Sequence, residues 1–90
     1  MQMKIRSGYM LRQVMDVYVV LGIGSEAYNP NQIMSVNETG AFLWGLLEKG
    51  ADKQELVDNL TKEYEVDIQT AEKDVDDFLA RLREKALIEE

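Results

Sequence analysis

The chain contains no cysteine and no histidine. Disulfides, thiolate nucleophiles and imidazole bases are therefore excluded, along with the usual zinc ligand sets. No apolar run approaches the roughly 18 residues of a membrane span. The opening Met1-Gln2-Met3-Lys4-Ile5-Arg6 has no apolar centre of the kind a secretory signal needs. These absences read as a cytoplasmic protein with no membrane partner. Positive charge is scarce as well, with 10 lysines and arginines against 17 acids and a net charge of −7. It is also unevenly spread. Lys4, Arg6 and Arg12 stand in the first 15 residues with no acid, whereas from Glu48 onward 14 acids face seven bases. Such a body repels phosphate backbones and anionic lipid, so nucleic acid is not an expected partner, while a basic or neutral polypeptide is compatible.

What is present is enough to fold. A hydrophobic content of 46% over 90 residues fits one globular domain spanning 1–90 around one core. The organising stretch is Ile33-Met34-Ser35-Val36-Asn37-Glu38-Thr39-Gly40-Ala41-Phe42-Leu43-Trp44. There a short β-type run turns directly into a helix. Asn37 suits the N-cap and Glu38 the positive end of the helix dipole. Gly40 in the first turn implies close approach of another backbone. Phe42, Leu43, Trp44, Leu46 and Leu47 then cover about half the helix circumference, more than a surface helix needs, which marks this as the core helix with Trp44 inside.

Before it, residues 8–13 and 17–22 are rich in β-branched and aromatic side chains and fit a hairpin turning at Met15-Asp16. Gly22, Gly24, Ser25 and Asn29-Pro30-Asn31 mark an irregular stretch. Its Gly-x-Gly lacks the third glycine and following helix of a dinucleotide fingerprint, so a loop tip is the better reading. Residues 33–36 give a short third strand at a sheet edge. After it come helices near 38–49, 52–64 and 68–86. Asp52 and Glu55 form a capping box, and Asp67 caps the third helix. The second helix buries Leu56, Val57, Leu60 and Tyr64, and the third buries Ala71, Val75, Phe78, Leu79 and Leu82. The fold class is α+β: a three-stranded antiparallel sheet followed by three helices, in a winged helix-turn-helix-like layout. That layout invites a DNA-binding reading, but Glu72, Asp74, Asp76 and Asp77 occupy the segment that would enter the major groove.

Chemistry is sparse. Asp76 and Asp77 are neighbours in a helix and point about 100° apart, so they share no site. No nucleophile stands beside a base, and no metal-ligand set has workable spacing. The chain reads as no enzyme and needs no cofactor. The third strand, by contrast, offers unpaired backbone groups. Alternation sends Ile33 and Ser35 to one face and Met34 and Val36 to the other. Met34 is equally compatible with an adaptable binding surface and with the core. On the third helix Val75 and Phe78 read first as core and second as groove lining, with Asp74, Asp77 and Arg81 as the rim. The alternative is an oligomeric scaffold, possibly a homodimer, whose edge strands pair with each other.

Several motifs stand together in register. They are Leu11-Arg12, Tyr18-Val19-Val20-Leu21, Val36-Asn37-Glu38-Thr39-Gly40 with Trp44, Glu55-Leu56, Tyr64, Asp74-Val75, Phe78-Leu79, Leu82 and Leu87-Ile88. From about Ile5 to Glu89 the sequence resembles the PqqD family, small peptide-binding domains also called RiPP recognition elements. Val36 replaces a usual leucine, and Ala86 stands where a glycine often precedes the closing pair. The resemblance implies a non-catalytic chaperone that binds the leader segment of a ribosomally made precursor peptide. The chaperone would present that leader to a modifying enzyme, often a radical S-adenosylmethionine enzyme, as in pyrroloquinoline quinone biosynthesis. It further implies β-augmentation, with the leader added to the third strand beside the third helix. The expected peptide-binding residues are Ile33, Met34, Ser35, Val36, Asp74, Val75, Asp77, Phe78 and Arg81.

Overall fold

A hairpin of β-branched strands supplies the sheet onto which the helices pack. In this computed structural model residues 2–22 and 34–90 are described. The expectations for Ile33 and for the turn-rich stretch over 23–32 lie outside them. Strands β2 (Tyr9–Val14) and β3 (Val17–Gly22) pair antiparallel from Tyr9↔Gly22 to Val14↔Val17, leaving Met15-Asp16 as a two-residue turn. Met15 adopts the left-handed conformation there (φ 58°). Strand β4 (Met34–Val36) pairs antiparallel with β3, so among the described residues the sheet order is β2-β3-β4 with β2 and β4 at its edges. The register gives the sheet two different faces. Val20, Met34 and Val36 share the face turned to the helices and are buried, whereas Met10, Val14 and Val17 are exposed on the other.

Helices α1 (Glu38–Lys49), α2 (Lys53–Tyr64) and α3 (Ile68–Glu84) follow the expected boundaries closely because each start is capped. Asn37 Oδ1 accepts from the Gly40 N–H at 2.8 Å. Asp52 and Glu55 complete a reciprocal box, at 2.8 and 3.1 Å. Asp67 Oδ1 accepts from the Thr70 N–H at 2.7 Å. Hydrogen bonding by Thr70, through its side chain first and its backbone second, holds the Asp67 carboxyl below its ordinary value. That cap is therefore fully formed at neutral pH and is lost as pH falls through the lowered pKa. The core gathers Leu43, Trp44 and Leu47 of α1, Leu56, Val57 and Leu60 of α2, and Ala71, Val75, Phe78, Leu79 and Leu82 of α3. Tyr64 is only half-buried and meets the Phe42 ring edge-on, with centroids 5.6 Å apart.

Two short strands escape the sequence pattern. β1 (Lys4–Ile5) pairs antiparallel with β5 (Ile88–Glu89), and Met3 exchanges two backbone hydrogen bonds with Ala51. Strands of two residues have no period to read, so only the apolar Leu87-Ile88 ending was visible. The pairing also explains why α3 stops at Glu84 rather than near residue 86. Ala86 takes the left-handed conformation (φ 57°), its N–H donates to Arg83 O and that of Leu87 to Leu82 O. This is a Schellman end, with alanine in the position glycine favours.

Glycine at position 86 should therefore stabilise the domain. The left-handed conformation costs an L-residue about 1–2 kcal/mol. Added freedom of the unfolded chain returns about 0.4–1 kcal/mol of that. Ala86→Gly is expected to gain roughly 0.5–1 kcal/mol, or several degrees in Tm for a domain of this size. Thermal unfolding followed by circular dichroism measures it, and an unchanged or lowered Tm would contradict the strain argument.

Candidate functional site

A concave feature of the described surface lies where the start of α1 faces α3. A cavity of about 230 Å³ is lined by Asn37, Thr39, Gly40, Leu43, Asp74, Asp77, Phe78 and Arg81. It opens beside β4, because Val36 leads directly into the Asn37 cap. The absence of a side chain at residue 40 shapes its wall. A Cβ there would stand 3.1 Å from Val36 Cβ and 3.2 Å from Phe78 Cε1. The crowding behind Gly40 thus comes from side chains, not from the backbone expected from sequence. Phe78 is buried (5% exposed) yet forms part of the lining, so it serves both core and groove.

The expected site residues separate into three groups. Asp74, Asp77, Phe78 and Arg81 line the cavity. Met34, Val36 and Val75 have buried side chains, which leaves the edge strand's backbone as what Met34 and Val36 can offer a partner. Ser35 is exposed, and its carbonyl accepts from Arg81 Nη2 at 2.9 Å. That carbonyl is turned away from β3. In an extended strand the N–H of the same residue points the same way, so both polar groups of Ser35 face the open edge. The lining residues Asn37, Thr39, Gly40 and Leu43 were not singled out as site residues from sequence. Their signal in the sequence is the strand-to-helix motif, which on its own reads as a cap and a packing contact.

Charges in the groove are unequally engaged. Asp77 meets Lys73 at 3.3 Å in an exposed pair, and elsewhere on α3 Arg83 holds Glu90 at 2.9 Å. Neither Arg81 nor Asp74 forms an ion pair among the described residues. No cluster of acids able to hold a metal ion occurs among them either. No described helix is long and apolar enough to cross a membrane.

The start of α1, the strand β4 and α3 thus frame a partly polar groove at one side of a winged-helix-like α+β domain. The chain matches the family model described as coenzyme PQQ synthesis protein D (PqqD) over residues 18–88, and it belongs to that family. Two solved structures share its fold. One is described as TbiB1 in complex with the TbiA(beta) leader peptide, with 32% identity, a TM-score of 0.74, and coverage of 96% of this chain and 94% of that one. The other is a lasso peptide synthetase B1 complexed with the leader peptide, with 24% identity, a TM-score of 0.74 and 98% of both chains covered. No curated protein matches the sequence.

Proposed function

We propose that this protein is a non-catalytic chaperone for a ribosomally made precursor peptide, acting as one unit over residues 1–90 in the cytoplasm. The leader adds as a strand to β4, and its side chains enter the groove between α1 and α3. The observation that carries this reading is the open edge at Ser35 lying beside a cavity of about 230 Å³. Main-chain pairing fixes register there, and the groove supplies selectivity. The residues engaged are Met34, Ser35 and Val36 through β4, together with the sequence neighbour Ile33, and Asp74, Asp77, Phe78 and Arg81 through α3. Val75 supports them from the core. Family membership and the leader-bound solved structures support the same reading. Presentation to a modifying enzyme, of the radical S-adenosylmethionine kind or another, requires a surface that the leader leaves free. The exposed sheet face bearing Met10, Val14 and Val17 lies on the other side of the sheet from the helices.

An NMR titration with the cognate leader tests the proposal. The largest shifts are expected at residues 33–36 and 74–82. Each backbone hydrogen bond contributes about 1 kcal/mol, and ordering the leader removes part of that gain. A micromolar dissociation constant is the expected result. Shifts confined to α2, with 33–36 and 74–82 unmoved, would reject the site.

A further inference from the structure

Arg81 stands apart from the other cations of α3. Lys73 and Arg83 each hold a carboxylate, whereas the Arg81 guanidinium donates to a backbone carbonyl and forms no ion pair among the described residues. A guanidinium has five donors in a rigid planar fork suited to bidentate pairing with a carboxylate, and a single carbonyl uses it poorly. Its one bond covers the Ser35 carbonyl, an edge acceptor that would otherwise invite pairing by any extended chain. Asp74 mirrors it. This half-buried carboxylate lines the same cavity and has no ion-pair or hydrogen-bond partner among the described residues. The two are seven positions apart, so they lie on one helix face about 10 Å apart along the axis. Phe78 stands between them on the cavity wall.

We propose that Arg81 is a latch on the edge of β4 that yields the Ser35 carbonyl to an incoming backbone and takes a carboxylate of the bound chain in exchange. The groove thereby selects a peptide with an acidic side chain at the Arg81 end and a basic one toward Asp74. This rests on the peptide-binding reading above and narrows its ligand class. An extended chain advances about 3.3 Å per residue and returns to the same face every second residue. The acid and base therefore stand two or four positions apart, and their order sets the direction in which the peptide enters. In the free protein the same bond keeps the edge acceptor covered.

Selection from a display library of fully randomised twelve-residue peptides tests this on the intact chain, with Ser35→Pro as the edge-blocked control. Peptides enriched on the wild type but not on the control are expected to carry Asp or Glu and Lys or Arg in one order, two or four residues apart. Enrichment of the acid should be about ten-fold at its position, as befits a directed charge pair. On Arg81→Glu that position should turn to Lys or Arg, and on Arg81→Gln its preference should vanish while the remaining pattern persists. A merely structural Arg81 would leave the selected sequences unchanged or lose them all together, and either result overturns the latch. Enriched peptides without the charge order overturn it as well. No enrichment over the control would overturn the peptide-binding reading and, with it, the latch.

Discussion

Replacing Ser35 by proline is expected to weaken leader binding at least ten-fold while leaving the fold intact. The two halves of this result have separate causes. Proline removes a backbone N–H, which in a central strand would break the ladder. Here the Arg81 bond shows that the polar groups of Ser35 face the open edge, where proline is tolerated. The pairs Tyr18↔Val36 and Val20↔Met34 on either side continue to hold β4 against β3. The incoming leader, however, loses a main-chain partner and meets a ring where it must approach. One lost hydrogen bond accounts for about 1 kcal/mol, and the ring adds its own obstruction. Isothermal titration with the cognate leader gives the affinity, and circular dichroism gives the fold. Unchanged affinity in a folded Ser35→Pro protein would rule out β-augmentation at β4.

Elements with a local cause were legible in the sequence, and elements with a distant cause were not. Asn37, Asp52 and Asp67 announce three helix starts because a cap is satisfied within three residues of itself. The apolar stripe of α3 is read correctly from Ala71 to Leu82 because its period is a property of the helix alone. The β1–β5 pairing joins residues more than 80 positions apart through two-residue strands, and nothing local marks it. Ala86 illustrates the same limit. Its left-handed conformation follows from the need to bring Ile88 back to Ile5, a demand made by the far end of the chain.

The site divides along the same line. Asp74, Asp77 and Arg81 fall at the rim of the α3 stripe by helix geometry alone, and they line the cavity. Met34 was ambiguous since a three-residue strand does not say which of its faces meets the helices. Its pairing with Val20, a fully buried residue, settles that it faces inward. The opposite wall, from Asn37 to Leu43, depends on how α1 crosses α3. Gly40 lies at that approach, where a Cβ would crowd Val36 and Phe78. A single glycine in a first helical turn gives a hint of such a contact without naming the partner.

Truncating Trp44 to alanine is expected to produce the largest loss of stability of any single change considered. Trp44 is fully buried in the core helix, among Leu43 and Leu47 of α1 and the facing stripes of α2 and α3. Large-to-small changes of this kind cost about 3–5 kcal/mol, from lost transfer energy and an unfilled cavity. A domain of this length has about 5–13 kcal/mol in total. A fall in Tm of about 15–30 °C follows, with part of the Trp44→Ala population unfolded at 37 °C. Phenylalanine at the same position separates the contributions. The indole N–H of Trp44 has no acceptor among the described residues, and an unpaired buried donor is itself costly. Trp44→Phe removes that donor and keeps one aromatic ring, so its loss should be less than half that of Trp44→Ala. Urea unfolding of the three proteins gives the comparison directly. Equal destabilisation by the two substitutions would mean that the second ring and its packing, not the burial of an aromatic as such, hold this core together.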